Sequence, residues 1–247
     1  MKQYPVMFGQ SQAGGTQAVS LCTECRVARL CAVAQIAGNT PHRIVTRRLR
    51  FQRGASLHRA GDEVQDRFYV VRYGRFKILQ ADPDGQPRLT GLALSADLLD
   101  MNVIGLRHHP CTVTALDDSE VCEISYGPLD RMTEHNQVVL AHLPSLLARQ
   151  MLREQDAALR LRHGKAAQRL AEFLLRVSEA YVVRGFAALR FQLPMPKADV
   201  ADYIGISAES LSRLLARFSA ERLVTVDGPN MEILDAEALR QTAGEEQ

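Results

Sequence analysis

The chain has 247 residues, 46% apolar and 23% charged, with thirty basic side chains against twenty-eight acidic ones and a formal charge of +2. That apolar content suits one large domain or two modest ones and excludes a disordered protein. The near-neutral balance excludes binding driven by bulk positive charge, so any nucleic-acid surface must be local.

No signal-peptide pattern and no membrane-length apolar run is present, which predicts a cytoplasmic protein with no membrane partner. Residues 1–20 are rich in Gly, Gln and Ser without periodicity and read as a flexible leader. "CTECRVARLC" follows, and it places Cys22, Cys25 and Cys31 within ten positions. In a reducing compartment such a group points to metal binding or redox chemistry rather than a disulfide framework.

Between about residues 41 and 139 the pattern becomes one of short apolar runs broken by turn residues: "RIVTRRLRF", "FYVVRYGRFKILQA", "PRLTGLAL", "CTVTAL" and "EVCEIS". Regular punctuation at Arg53-Gly54, Gly61-Asp62, Tyr73-Gly74 and Asp82-Pro83-Asp84-Gly85 predicts an antiparallel sandwich or barrel. Within it, Cys111 shares a strand face with Val113 and Ala115, as a small core residue does. Cys122 shares a face with Glu120 and Ile124, neither a clean core nor a clean surface. Either cysteine is available as a fourth sulfur, with periodicity leaning to Cys122. The His108-His109 pair beside Pro110 reads as a structural loop feature.

Over residues 140–163, Leu140, Leu143, Leu147, Met151, Ala158 and Leu161 recur at helical intervals and form one seam, with the regular helix expected to begin near Pro144. Glu154 occupies the seam position between Met151 and Ala158. If the seam meets a twofold partner, two glutamates approach and disfavour the dimer; otherwise Glu154 edges a solvated face.

Residues 164–247 begin with a helix to about residue 183. "KADVADYIGISAESLSRLLARFSAERLVTVDGPNMEIL" then reads as helix, turn at Gly205, a second helix capped by Ser207, and a hairpin around Asp227-Gly228. This is a winged helix-turn-helix. Ile206, Leu211, Leu214, Leu215 and Phe218 supply the packed face of the second helix; Glu209, Ser212, Arg213 and Arg217 face outward. Arg reads guanine and Glu accepts from cytosine, while Arg217, a turn farther along, suits a phosphate. An ordinary surface helix with a Glu209–Arg213 ion pair is the alternative. This region carries ten Lys or Arg and twelve Asp or Glu, net −2, so binding must rest on specific contacts doubled by a second subunit.

Three cysteines with the third six positions on differ from the paired C-x2-C of zinc knuckles, and a loop of this length suits a bulkier iron-sulfur cluster without excluding zinc. In order and spacing, "CTECRVARLC", "GASLHRAGDEVQDRFYVVRYGRFKI", "IGLRHHPCTVTALDDSEVCEI" and "SAESLSRLLARF" resemble the CRP/FNR superfamily of transcription regulators, specifically its oxygen-responsive FNR branch. The resemblance runs from about residue 20 to 240. It implies an α+β chain, not an enzyme: a β-roll sensor domain like those that bind cyclic nucleotides, a long dimerisation helix, and a winged helix-turn-helix.

The resemblance also implies a [4Fe-4S] cluster on Cys22, Cys25, Cys31 and Cys122. Glu209, Ser212 and Arg213 become base-reading residues on a TTGAT-N4-ATCAA-like palindrome, read by a homodimer in which Glu154 is the acidic residue of the dimer helix. Oxygen converts such a cluster and lowers DNA binding, and roll loops such as Asp82 to Arg88 touch RNA polymerase. Two positions depart from the family pattern: Arg26 beside the second cysteine, and Leu99-Asp100 where the family has an apolar, glycine-containing run. The cyclic-nucleotide branch needs a carboxylate and an arginine in "LALSADLLDMNVIG", which has Ser95 but neither glutamate nor arginine. An iron-sulfur redox protein would need a second cofactor or substrate motif, and none is legible; a zinc-stabilised regulator remains a further alternative.

Overall fold

The computed structural model describes residues 22, 25–37, 44–127, 134–162 and 164–244, and within the long helix the side chains of residues 137–152 and 155. The leader and the side chains of Glu154 and Ala158 lie outside the described residues.

Eight strands build two four-stranded antiparallel sheets. One runs β1 (Arg47–Phe51), β8 (Ser119–Ser125), β3 (Arg67–Tyr73), β6 (Leu98–Leu99), and the other runs β2 (Ser56–His58), β7 (Cys111–Ala115), β4 (Phe76–Ala81), β5 (Pro87–Ala93). Alternation decides which side chains meet between the sheets. Val71, Leu99 and Val121 of the first sheet pack with Phe76, Val113 and Ala115 of the second, and Cys111 joins them as a core residue. The turn into β4 requires glycine: Gly74 has φ +85°, and a Cβ there would lie 2.0 Å from the Ser119 hydroxyl.

The other face of the first sheet carries Phe68, Val70 and Ile124. Against it pack Cys31, Val33 and Ala34 of the cysteine segment, together with Val139 and Leu146 of the long helix α2 (Glu134–Arg162). The short α1 (Ala32–Ala37) belongs to that segment.

Helix α2 starts at Glu134, ahead of the start expected near Pro144, and runs through that proline. A mid-helix proline costs about 3 kcal/mol. Burial of Val139 and Leu146 on either side of it offsets that cost. Beyond the roll the helix offers apolar side chains to solvent: Met151 is 59% and Leu152 61% exposed in the single chain.

The carboxy-terminal unit contains α3 (Ala166–Val182), β9 (Arg190–Gln192), α4 (Lys197–Tyr203), α5 (Ala208–Ala220), β10 (Val224–Asp227), β11 (Asn230–Ile233) and α6 (Ala236–Ala243). Its core joins Leu170 and Leu174 of α3 to Leu211, Leu215 and Phe218 of α5. The hairpin turns on Gly228-Pro229, one residue later than expected, because Asp227 and Asn230 pair across it. Strand β9 adds a third strand to the wing. The unit is tied to the roll by Lys77–Asp199 at 2.9 Å, Arg184–Asp97 at 3.1 Å, and the Leu89 amide donating to Asp202 at 2.7 Å.

Candidate cluster site and DNA interface

Strand β8 places Cys122 opposite Arg48 of β1 and Val70 of β3, on the face that meets the cysteine segment. That segment is folded by local hydrogen bonds. The Cys25 amide donates to the Cys22 carbonyl at 3.2 Å, the Cys31 amide to the Val27 carbonyl at 2.9 Å, and the Ala34 amide to Cys31 Sγ at 3.3 Å. Cys22, Cys25, Cys31 and Cys122 line one small cavity with Val27, Val33, Val70, Arg48 and Arg72. Cys111 does not line it; it sits on the other sheet, in the interior of the roll.

Electrostatics ties the four sulfurs together. Burial pushes the Cys122 thiol up to about 12; Arg48 opposes the rise, and Cys25, Cys31 and Cys22 add to it. Burial likewise raises Cys22 and Cys31. Without a cation Cys22, Cys31 and Cys122 are therefore held as protonated thiols, and binding a metal or cluster must release protons. The donor set is all sulfur, in an apolar cavity, which fits a thiolate-ligated cluster. Four thiolates around such a cluster leave net negative charge, and the cavity's two arginines offset it. Arg26 is exposed and does not line the cavity.

Two buried carboxylates flank Cys122 on β8. Glu120 accepts from Arg50 at 2.8 Å and Arg72 at 2.7 Å, and Glu123 from Arg47 at 2.9 Å and Arg67 at 2.8 Å. This explains the mixed face read from the sequence: Glu120 is buried as part of a charge network whose Arg72 also borders the cavity. Burial works against the ionised Glu120, yet the hydrogen bonds from Arg50 and Arg72 outweigh it and hold the carboxyl below its ordinary 4.5. A lowered carboxyl pKa stabilises the fold above the unfolded value, and that stability is lost as pH falls through the folded one. Urea unfolding of Glu120→Gln should therefore show lower stability at neutral pH and a flatter decline below pH 4.5 than wild type. Parallel declines would remove Glu120 from this role.

The helix-turn-helix is formed by α4, a turn with Gly205 at φ +68°, and α5. The Ser207 hydroxyl caps α5 by accepting from the Ser210 amide at 3.1 Å. Leu211, Leu215 and Phe218 are buried and Ile206 and Leu214 partly so, whereas Glu209, Ser212, Arg213 and Arg217 are exposed along one face. The Glu209–Arg213 ion pair is present at 3.4 Å, but both partners are largely exposed. Such a pair holds the arginine loosely and contributes little to stability.

One constellation escaped the sequence reading. His58, Asp100 and His109 are all buried and come together at the end of β2, after β6 and before β7. The clue was the departure at Leu99-Asp100, together with the histidine of "SLHRAG". Of the His108-His109 pair, expected to be a structural loop feature, His109 packs face to face on His58 with ring centroids 3.6 Å apart.

Comparisons with known proteins match this architecture. Residues 48–136 match the model of the cyclic nucleotide-binding domain and residues 168–242 that of the Crp-like helix-turn-helix domain. The chain is 32% identical over 226 residues to the fumarate and nitrate reduction regulatory protein of Escherichia coli K12, covering 90% of each. The chain belongs to the CRP/FNR family of transcription regulators. A second relative in this family, the fumarate nitrate reduction regulatory protein of Klebsiella oxytoca, is 31% identical over 227 residues, covering 91% of this chain and 90% of its own length. Among solved structures, FixK2 from Bradyrhizobium japonicum superposes with a TM-score of 0.67 at 20% identity over 81% of this chain and 98% of its own. TTHB099, a CRP-family regulator of Thermus thermophilus, gives 0.64 at 22% identity over 79% and 96%. Both share the fold of a β-roll followed by a helix-turn-helix. No helix among the described residues is long and apolar enough to cross a membrane.

Proposed function

We propose that this regulator is a cytoplasmic oxygen sensor. Cys22, Cys25, Cys31 and Cys122 hold a [4Fe-4S] cluster, and its integrity sets whether a homodimer binds a TTGAT-N4-ATCAA-like palindrome. The supporting observation is the shared packing of the sulfur site and helix α2: Cys31, Val33 and Ala34 lie in one apolar cluster with Val139 and Leu146. When bound, the cluster supplies an oxygen-labile tie among the four sulfurs.

The rest is done by the chain. With the tie in place, Cys22, Cys25 and Cys31 keep their segment seated on β8, and Val33 and Ala34 keep the roll-facing side of α2 buried. Helix α2 then presents Met151 and its seam neighbours to a second copy, which offsets the repulsion between paired Glu154 side chains. Two α5 helices come to lie about one DNA turn apart, and Glu209, Ser212 and Arg213 reach the major groove. Arg217 takes a phosphate. With the tie lost, the segment loosens, α2 loses part of its packing, and the dimer falls apart. The loop from Asp82 to Arg88 serves as a contact for RNA polymerase; the supporting evidence there is the family resemblance alone. On this reading the domains are 1–40 for the leader and sulfur segment, 41–139 for the sensor, 140–163 for the dimerisation helix and 164–247 for the DNA-binding unit, although α2 starts earlier, at Glu134.

Anaerobic purification tests this reading. A brown protein containing iron and sulfide, bleached by air, supports it; a colourless protein with stoichiometric zinc overturns it in favour of a zinc-stabilised regulator. The role of Glu154 is tested separately: Glu154→Ala should raise the dimer fraction in air, by analytical ultracentrifugation, because a repulsive pair is removed. An unchanged monomer would assign Glu154 to a solvated face.

A further inference from the structure

We propose that the pocket walled by His58, Asp100 and His109 binds one divalent first-row transition-metal ion, at a site separate from the cysteines. Three segments converge to build it, and the residues are 8%, 5% and 8% exposed, respectively. One donor atom from each lies within 4.8 Å of the others. His58 Nε2 meets Asp100 Oδ1 at 2.8 Å. That contact leaves three buried polar atoms with no hydrogen-bond partner: His58 Nδ1, His109 Nδ1 and Asp100 Oδ2.

A plain His–Asp ion pair does not account for this. It uses one nitrogen and one oxygen, and it leaves the second carboxylate oxygen and the Nδ1 of both imidazoles buried without hydrogen-bond partners. Each orphaned polar group costs about 1–3 kcal/mol. A cation held at the ring edges by one nitrogen of each imidazole and a carboxylate oxygen would give these buried groups a shared partner. Two imidazoles and one carboxylate suit zinc, iron(II) or cobalt(II); magnesium and calcium prefer all-oxygen sites.

Asp100 lies at φ 66°, ψ 18°, in the left-handed region, which aspartate tolerates better than most side chains. The flanking loops are hydrogen-bonded to each other: the Gly61 amide donates to the His109 carbonyl at 2.8 Å, and the His109 amide to the Asp62 carbonyl at 2.9 Å. Asp62, Glu63, Gln65 and Tyr69 line the same pocket toward solvent. They leave room for water in the remaining coordination positions, so the metal would be exchangeable.

Cobalt(II) titration of the full chain under anaerobic conditions separates this site from the cysteines, because thiolate ligation gives sulfur-to-cobalt charge-transfer bands and nitrogen-oxygen ligation gives only visible ligand-field bands. The expected result is one equivalent of cobalt giving ligand-field bands with no thiolate component when the cysteines are filled, and the same ligand-field bands beside separate thiolate bands when they are empty. Asp100→Asn keeps the side-chain shape and suits the left-handed backbone; it should weaken this cobalt binding at least about 10-fold. His109→Gln should do the same. Cobalt should also raise the unfolding midpoint of wild type and not of Asp100→Asn. Absence of non-thiolate cobalt binding in a folded wild type, or undiminished binding in a folded Asp100→Asn, overturns the proposal. Failure of the iron-sulfur reading would alter only the thiolate bands and leave this outcome readable.

Discussion

Cys122→Ser, purified without oxygen, should be colourless and free of iron and sulfide, whereas Cys111→Ser should remain brown. The two cysteines are eleven residues apart on consecutive strands, yet the fold sends them to opposite environments. Cys122 points from β8 into the cavity lined by Cys22, Cys25 and Cys31. Cys111 is buried between the sheets with Val113 and Ala115, where burial pushes its thiol up to about 11, with the Asp100 charge adding to it. A hydroxyl is a poor ligand for iron in such a cluster, so replacing one of four sulfurs should remove the group and, with it, high-affinity DNA binding. At position 111 the same change places a hydroxyl in an apolar core and costs about 1–3 kcal/mol of stability. Iron and sulfide analysis reads the first effect, and denaturant unfolding the second. A brown Cys122→Ser protein with a colourless Cys111→Ser protein would reverse the ligand assignment.

Arg213→Ala should abolish discrimination between the palindrome and a scrambled duplex while leaving the protein folded. Among the described residues, the side-chain partners of Arg213 in the free protein are weak: Glu209 at 3.4 Å, largely exposed at both ends, and the Ser210 hydroxyl at 3.4 Å. Losing them costs at most about 0.5 kcal/mol. A bidentate arginine–guanine contact discriminates by about 1–3 kcal/mol, and a twofold dimer makes it twice. The expected loss of specific affinity is therefore about 2–6 kcal/mol, at least about 30-fold. Because residues 164–247 carry net −2, little non-specific attraction remains to mask it. Arg217→Ala should differ, weakening all duplexes alike and reducing the salt dependence. Fluorescence anisotropy on the two duplexes at several salt concentrations separates the cases. Equal losses on both duplexes for Arg213→Ala would make it a phosphate contact.

The roll and the helix-turn-helix were legible in the sequence because each rests on a local period. Strands around Tyr73-Gly74 and Asp82–Gly85, and the capped helix after Ser207, carry their turn chemistry within a few residues. The start of α2 was not legible, because Pro144 is a strong local signal to break a helix. Tertiary burial of Val139 and Leu146 overrides it, and no window around the proline reveals that the roll waits beneath. The wing turn shifted by one residue for a similar reason: Asp227 is a good turn residue, but the pairing of β10 with β11 keeps it in the strand.

The mixed face of β8 was visible as a puzzle and became clear only when Arg50 and Arg72, on two other strands, were seen to hold Glu120. His58 and Asp100 are forty-two residues apart and share no motif, so their meeting with His109 belongs to the fold alone. Arg26, which departs from the family pattern beside the second cysteine, is exposed to solvent, where screening weakens its reach.

The most direct test of oxygen control over DNA binding follows two signals in one anaerobic sample as air-saturated buffer is added: visible absorption of the protein and its anisotropy-detected binding to the palindrome. The expected result is that both fall together, with the dimer giving way to monomer over the same oxygen range. Bleaching with unchanged DNA binding, or DNA binding by a protein that was colourless from the outset, would contradict the account.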